Sequence, residues 1–118
     1  PVNKVMAMVK ANAYGHGIIE VAQFLKNHVD YFGVAYINEG ITLRQQKIKT
    51  PVMVMNPSPK DYLLCMEYDL EPVVYDLFSL EFLDQLLNGL LRKVRVRLEI
   101  DTGMNRMGFE EDEIIHKT

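Results

Sequence analysis

Several residue types that build specialised sites are scarce in this chain of 118 residues. It contains no tryptophan and only one cysteine, Cys65, so neither an intrachain disulfide nor a cysteine-rich metal cluster can form. Because Cys65 lies in the apolar segment 62–66, we expect it to be a buried small residue and not a nucleophile. The three histidines, His16, His28 and His116, have no mutual spacing that suits a metal site. The sequence therefore predicts no bound metal.

The charge balance and the lack of long apolar runs exclude two further classes of partner. The 13 basic residues are scattered among 16 acidic ones, for a formal net charge of -3, whereas nucleic-acid binding calls for clustered lysine and arginine. No apolar run approaches the roughly 20 residues that span a bilayer, and no charged-then-apolar leader precedes the first apolar run. We therefore expect a cytoplasmic protein that binds neither nucleic acid nor membrane.

Apolar, β-branched runs alternate along the chain with stretches of helical periodicity. This alternation predicts parallel strands joined by right-handed crossover helices. The predicted strands are residues 5–9, 31–36, 51–55, 72–75 and 93–100. The predicted helices are residues 18–28, 37–47, 58 or 59 to about 68, 79–87 and 110–116, with Asn38 and Ser79 as N-terminal caps.

Turn residues follow the carboxyl end of each predicted strand, the last being Asp101-Thr102-Gly103. A (β/α)8 barrel builds its active site at that end, but closing such a barrel takes about 250 residues. The sequence therefore predicts an α/β fold, a partial (β/α)8 TIM barrel of about five units with parallel strands. Because the chain begins at Pro1 without an initiator methionine and ends inside a predicted helix, we expect residues 1–118 to be a fragment of one barrel domain.

The most informative residue is Lys10, which ends the apolar run 5–9 and is followed at once by Ala11-Asn12-Ala13-Tyr14-Gly15-His16-Gly17. An amine at the mouth of an apolar strand is partly desolvated, which disfavours the ammonium form and frees the lone pair for attack on an aldehyde. Such a lysine can form a Schiff base. The alternative is a lysine whose amine only reaches out into water.

Two strings of residues carry a resemblance to a known family. VKANAYGHG, residues 9–17, resembles the pyridoxal-phosphate lysine segment of the alanine racemases, which are fold-type III enzymes. The segment 97–109 is similar to the DTGM-x-R-x-G stretch of the same family. The two strings occur in the family's order, and the 96 positions from Lys10 to Arg106 resemble its spacing. The resemblance favours the Schiff-base interpretation of Lys10.

The resemblance implies a role for each of four residues. Lys10 matches the lysine that forms the Schiff base with pyridoxal 5'-phosphate and is the catalytic base on one side of the substrate. Tyr14 matches the tyrosine that hydrogen-bonds the cofactor phosphate, and Met55 lies where the family has an apolar residue beside the cofactor ring. Arg106 matches the arginine that reaches the cofactor's phenolic oxygen and the substrate carboxylate. Its guanidinium suits both tasks because it stays charged and offers a planar fork of donors.

Glu99 departs from the family pattern. Many alanine racemases have a lysine two residues before the aspartate, and in a number of them it is carbamylated, so that an anion holds the arginine in place. Glu99 supplies a carboxylate at this position, and we expect it to pair with Arg106. Alternation puts Arg97, Glu99 and Asp101 on one face of the strand. The alternative is a Glu99 that faces away from the site.

The resemblance implies a pyridoxal-phosphate-dependent racemase that interconverts L-alanine and D-alanine for peptidoglycan synthesis and acts as a homodimer. It also implies that about three more strand–helix units and a C-terminal β domain lie outside residues 1–118. The partner subunit's C-terminal domain would supply the second base, so the isolated chain is expected to be inactive. Two alternatives stay open: a racemase of the same family for serine or a basic amino acid, and a non-catalytic, barrel-only protein that binds pyridoxal phosphate.

Overall fold

Five short strands form one sheet whose spatial order follows the order of the chain. The computed structural model describes residues 3–116. Its strands are β1 (Met6–Met8), β2 (Tyr31–Val34), β3 (Val52–Val54), β4 (Glu71–Val74) and β5 (Arg97–Leu98). Each strand pairs in parallel with the next one along the chain. The predicted α/β fold with five parallel strands is confirmed.

Helical segments follow each of the five strands, and those after β1 to β4 lead to the next strand. They are α1 (Lys10–Tyr14), α2 (Ile18–Leu25), α3 (Ile37–Gln45), a 3-10 turn (Pro59–Asp61), α4 (Tyr62–Glu67), α5 (Leu77–Leu90) and α6 (Glu111–His116). Helix α2 buries Ile18 and Ala22, which are four residues apart and therefore share one face. Within residues 3–116, the helices are all too short or too polar to cross a membrane.

The two faces of the sheet have different neighbours. Phe32 of β2 is in register with Val52 of β3, and both are fully buried in the core that the sheet forms with the helices. Because side chains alternate along a strand, Gly33 and its register partners Met8 and Met53 lie on the opposite face. A Cβ on Gly33 would overlap the sulfur of Met8, so the glycine makes room for this methionine. In a closed barrel this second face would be the interior.

A second core lies under β4 and β5. Its buried residues are Tyr62, Val74, Leu83 and Phe109. Phe109 reaches this core because the chain turns back after β5: Phe109 N donates to Glu99 O at 2.8 Å, and Asp101 N donates to Phe109 O at 3.0 Å. The loop between residues 101 and 109 is therefore fastened at both ends.

Both predicted helix caps are wrong. Asp76, not Ser79, is the N-cap of α5, and its Oδ1 accepts a hydrogen bond from Ser79 N at 2.7 Å. Tyr36 is the N-cap of α3, so Asn38 lies inside the helix. An aspartate three residues before a free amide is a strong cap, and a glutamate in the first turn, here Glu39, can reach back to the backbone before the helix.

The bounds of the elements also differ from the prediction, most of all in α5 and β5. Helix α5 continues through Asn88 and Gly89 to Leu90. The strand predicted over residues 93–100 is reduced to Arg97–Leu98, with an isolated bridge at Ile100. Among the described residues, β5 pairs with β4 alone. Because β5 has hydrogen-bond partners on one side only, fewer backbone hydrogen bonds hold it in an extended conformation, and the strand is short.

Candidate active site

The predicted site residues lie in connections that follow the carboxyl ends of the strands. Lys10 and Tyr14 belong to α1, directly after β1, whereas Met55 follows β3 and Arg106 follows β5. Because all five strands are parallel, their carboxyl ends share one edge of the sheet, which in a barrel is the catalytic edge. Strands β1 and β5 are the outermost of the five, so Lys10 and Arg106 occupy opposite ends of this edge.

The backbone that follows Lys10 is left-handed over four residues. Ala11, Asn12, Ala13 and Tyr14 have φ angles of 52°, 54°, 53° and 55°. Left-handed helical geometry costs a residue other than glycine about 1–2 kcal/mol, so the segment is strained and depends on its surroundings. Turn residues at the carboxyl end of the first predicted strand indicate a turn here, but nothing in an Ala-Asn-Ala string marks a left-handed segment.

Hydrogen bonds within the segment hold part of this geometry. Gly15 N donates to Ala11 O and to Asn12 O, both at 3.1 Å, and Gly17 N donates to Asn12 O at 2.9 Å. The side chain of Asn12 takes part as well, since its Oδ1 accepts a hydrogen bond from Ile18 N, the first residue of α2, at 2.9 Å. Gly15 and Gly17 themselves have φ of 90° and 96°, which favours glycine at both positions.

The carboxylate of Glu39 supplies a contact from α3, a different element of the fold. Its Oε2 accepts a hydrogen bond from Ala11 N at 2.8 Å. Its Oε1 accepts hydrogen bonds from Ala35 N and Tyr36 N, both at 2.9 Å. One side chain on α3 therefore joins the residue after Lys10 to the connection that follows β2.

The side chains of Lys10 and Tyr14 are available to a ligand. Lys10 is half-buried and forms no ion pair or side-chain hydrogen bond with the residues that the structure describes. Tyr14 is 62% exposed, and the space beside Gly15 is open. An amine with no acidic partner and an exposed phenol on the same short turn fit pyridoxal phosphate, whose aldehyde reacts with amines and whose phosphate accepts hydrogen bonds.

Met55 continues the ladder of β3 at the same edge. Its backbone N donates to Val34 O at 2.9 Å, one residue beyond the strand. Alternation puts its half-buried side chain on the same face as Met53, the face that lacks helices. Met55 therefore lies on the face that is the interior of a closed barrel. An apolar residue that contacts a ligand bound to Lys10 would have to lie on this face.

The loop that carries Arg106 is organised by Asp101. One carboxylate oxygen, Oδ1, accepts hydrogen bonds from Gly103 N at 2.8 Å and from Asn105 N at 3.1 Å. These two amides favour the ionised form and hold the pKa of Asp101 below its ordinary value. Gly108 closes the loop with φ of 117°, and a Cβ there would lie 2.7 Å from Asp101 N. The Arg106 side chain is exposed at the tip.

Glu99 and Arg106 are not paired. Glu99 is half-buried and Arg106 is exposed, and no ion pair joins them in the described chain. Glu99 is tied to the loop only through its backbone, since its carbonyl accepts the hydrogen bond from Phe109 N. The expected Glu99–Arg106 contact therefore stays a prediction.

A separate cluster of charged residues occupies the opposite, amino edge of the sheet. Arg97 Nη2 lies 3.0 Å from Glu71 Oε2 and donates to the Tyr31 hydroxyl at 2.6 Å. Two clefts, of about 410 and 320 Å³, also open at this edge, beside Glu71 and Tyr31 respectively. Because Lys10 lies at the carboxyl edge, neither cleft belongs to the candidate active site.

Comparison with known proteins decides the family. A sequence model described as "Alanine racemase, N-terminal domain" matches residues 1–117. The chain belongs to the alanine racemase N-terminal domain family. It is 40% identical over 111 residues to the alanine racemase of Clostridium kluyveri, covering 92% of this chain and 28% of that protein. It is 38% identical over 116 residues to alanine racemase 1 of Caldanaerobacter subterraneus subsp. tengcongensis, covering 97% and 30%.

Solved structures of an alanine racemase and of a histidine racemase have the same fold. The enzyme of Clostridium difficile 630 in complex with cycloserine superposes with a TM-score of 0.87 at 34% identity, over 95% of this chain and 32% of that one. The histidine racemase of Leuconostoc mesenteroides subsp. sake superposes with a TM-score of 0.86 at 30% identity, over 95% and 31%. The chain thus spans about a third of the length of these relatives, and its five strands correspond to part of their TIM barrel.

The two sequence motifs identified Lys10 and Arg106 at the two ends of the candidate site. They did not identify Glu39, whose carboxylate holds the turn after Lys10. Lys10 and Arg106 stand out in the sequence because each lies in a distinctive string. Glu39 does not, since a glutamate in the first turn of a helix is common. The only indication of its role is its distance of three residues from the end of the second predicted strand, which suits a side chain that reaches back to the strand's last amides.

Proposed function

We propose that this chain is part of a pyridoxal-phosphate-dependent alanine racemase in which Lys10 binds the cofactor. The observation that carries the proposal is the setting of Lys10: a half-buried residue, without an ion pair among the described residues, at the carboxyl end of β1 and followed by a strained turn. Backbone strain of this kind persists at functional sites where the surroundings enforce it. The names of the relatives support alanine as the substrate.

The reaction needs an amino acid whose Cα proton can be removed and returned. Pyridoxal phosphate, when bound, supplies the electron withdrawal that makes this proton acidic. Lys10 Nζ then removes or delivers the proton on one face of the substrate. A second base is required on the other face, and we propose that it is a tyrosine of the partner subunit in a homodimer.

The other site residues bind and orient. Tyr14 is exposed on the turn after Lys10, so its hydroxyl can donate a hydrogen bond to the cofactor phosphate. Met55 provides an apolar surface on the interior face, beside the cofactor ring. Arg106, at the tip of the closed loop, offers a planar fork of donors that matches the substrate carboxylate. All three residues follow the carboxyl ends of strands, where their side chains can contact a bound cofactor or substrate.

Glu99 is proposed to orient Arg106 in the complete enzyme. Its half-buried carboxylate lies at the end of β5, seven residues before Arg106, and the intervening loop is fixed at both ends. The exposed Arg106 side chain is not held by packing in the loop, so we propose that it turns toward the strand. A charge-assisted hydrogen bond would then hold it toward the substrate.

A second candidate function is racemisation of another amino acid. The histidine racemase of Leuconostoc mesenteroides subsp. sake has nearly the same TM-score as the alanine racemase of Clostridium difficile. The fold of this part of the barrel therefore does not distinguish an alanine racemase from a histidine racemase. We favour alanine because curated relatives with that name are 38–43% identical to the chain, whereas the histidine racemase is 30% identical.

We further propose that the enzyme is cytoplasmic and supplies D-alanine for peptidoglycan. Support comes from the absence of a membrane-spanning helix among the described residues and from the bacterial relatives with the same name. The substrate would be a free amino acid that reaches Lys10 at the carboxyl edge of the sheet.

Chemical trapping of the cofactor tests the proposal directly. The full-length protein is loaded with pyridoxal phosphate, reduced with borohydride and mapped by peptide mass spectrometry. We expect the pyridoxyl mass on Lys10, loss of alanine racemisation in Lys10→Arg, and normal activity in the control Lys60→Arg. Racemisation measured against a panel of L-amino acids then separates alanine from histidine, serine and lysine. A label on a different lysine would refute the role of Lys10, and absent racemisation with normal cofactor binding would favour a non-catalytic carrier.

A further inference from the structure

The turn after Lys10 cannot be stable on account of its own residues alone. Four consecutive non-glycine residues have positive φ, and their Cβ atoms disfavour that geometry. The hydrogen bonds from Gly15 N and Gly17 N connect the turn to itself. Ala13 N donates to Val9 O at 2.9 Å, which ties the turn to the end of its own strand β1 but not to β2. The Asn12 side chain ties it to α2, the helix that follows.

Glu39 is the side chain that ties this turn to the neighbouring strand. The Oε2–Ala11 N distance is 2.8 Å, and Ala11 is both the residue next to Lys10 and the first left-handed residue. The other oxygen, Oε1, is held at 2.9 Å by Ala35 N and Tyr36 N at the end of β2. Because three backbone donors converge on one carboxylate, its position is fixed from both sides.

An ordinary helix cap would not need this arrangement. In a capping box, the glutamate in the first turn bonds to the N-cap amide, which here is Tyr36 N. The bonds to Ala35 N and Ala11 N are additional, and Ala11 is 28 positions away in the sequence. The contact to Ala11 contributes nothing to capping α3. Its effect is on the chain that carries Lys10.

We infer that Glu39 is a positioning residue for Lys10: it fixes the left-handed turn against the end of β2 and so sets the direction in which the lysine side chain leaves β1. This inference rests on the proposed role of Lys10. An anion suits the task because hydrogen bonds from amides to a carboxylate are shorter and stronger than those to a neutral acceptor. A misdirected lysine amine would bind the cofactor less tightly and transfer protons more slowly.

The test compares Glu39→Gln with Asp76→Asn in the full-length holoenzyme. Both changes neutralise a carboxylate that accepts backbone amide hydrogen bonds at the start of a helix, but Asp76 caps α5 and contacts Ser79 N, far along the sheet from Lys10. Glutamine replaces an acceptor oxygen with a donor group, so it cannot satisfy the amides on both sides of the site. The readouts are hydrogen exchange of the Ala11 amide, the dissociation constant of pyridoxal phosphate, and kcat and KM for alanine.

We expect Glu39→Gln to accelerate exchange at Ala11 and to weaken pyridoxal phosphate binding, each by about tenfold. We also expect kcat to fall by more than KM rises, whereas Asp76→Asn should leave Ala11 exchange and cofactor binding within twofold of wild type. If Glu39→Gln does not fold, Glu39→Asp gives the same readouts with smaller changes, because its carboxylate is one methylene too short to span both sets of amides.

The outcomes separate this inference from the proposed function. Borohydride labelling of Lys10 in the wild type, together with unchanged Ala11 exchange and cofactor affinity in Glu39→Gln, would overturn the positioning role alone. Equal losses in Glu39→Gln and Asp76→Asn would also overturn it, because they would indicate a general loss of stability. A label on another residue in the wild type would overturn the proposed function and this inference with it.

Discussion

Arg97 and Glu71 form an ion pair at the edge of the sheet opposite to Lys10, with 3.0 Å between Arg97 Nη2 and Glu71 Oε2. Arg97 begins β5 and Glu71 begins β4, and the Glu71 side chain is only 9% exposed. The guanidinium also lies 5.2 Å from the centre of the Tyr31 ring at the start of β2. Arg97 therefore links β5 to β4 and to β2 at the amino edge, the end of a barrel whose residues serve stability and not catalysis.

Loss of the Arg97 guanidinium should destabilise the protein without affecting the chemistry. In Arg97→Met the buried Glu71 carboxylate would lose its closest cation, and we expect the free energy of unfolding to fall by about 2 kcal/mol. The figure is below that of a fully buried pair because the Arg97 side chain is 42% exposed. Denaturant unfolding measures the change, and cofactor binding should be unaltered.

Arg95 offers the matched control for this measurement. It contacts the same carboxylate at 3.5 Å, but its side chain is 80% exposed. Arg95→Met should therefore change the free energy of unfolding by less than about 0.5 kcal/mol. Equal effects of the two substitutions would show that burial of the pair does not determine its contribution.

The sequence predicted more of the architecture than of the contacts that fix the site. Strand positions followed from apolar runs such as residues 51–55, because a buried parallel strand needs little more than apolar side chains. Lys10 and Arg106 were found because they lie in distinctive strings. The left-handed turn could not be predicted, because nothing in Ala11-Asn12-Ala13 marks a positive φ. The Glu39–Ala11 contact could not be predicted either, because it joins residues 28 positions apart through a backbone amide, and amides are present at almost every position.

The carboxyl group of Asp101 should titrate below its ordinary pKa of 3.8, because Gly103 N and Asn105 N donate to the ionised form. A depressed pKa in the folded state means that these bonds contribute stability above the unfolded value and lose it as the pH falls through the folded value. In protein labelled with 15N-glycine, the Gly103 amide resonance should shift with a midpoint below 3.8. The shift should vanish in Asp101→Asn, and a midpoint at or above the ordinary value would contradict the prediction.

Cys65 should be inert to alkylation in the native protein. It is fully buried, and burial raises the pKa of its thiol to about 12, with a smaller contribution from Asp61. Because the thiolate is the reactive form, iodoacetamide at pH 8 should modify Cys65 only after unfolding. Peptide mapping with and without denaturant measures this. Rapid modification of the native protein would show that the core around α4 opens easily.

Glu99 provides the last prediction, since the resemblance to the alanine racemases implies a lysine at this position in many of them. If its carboxylate orients Arg106 in the complete enzyme, Glu99→Gln should reduce kcat/KM for alanine by about tenfold, which is the effect expected from losing a partly buried charge-assisted hydrogen bond. The stability of the protein should change little, because Glu99 has no ion pair in the described chain.

Bicarbonate distinguishes this role from a general effect of the substitution. The wild-type enzyme should be insensitive to added bicarbonate, because no lysine at position 99 has to react with carbon dioxide. Glu99→Lys should lose activity and regain part of it with bicarbonate, since a carbamylated lysine restores a negative charge beside Arg106. Glu99→Gln should show no such rescue, as its amide cannot be carbamylated. If Glu99→Gln keeps the turnover and substrate affinity of the wild type, Glu99 is a solvated strand residue, and Arg106 is oriented by the loop that Asp101 and Phe109 close.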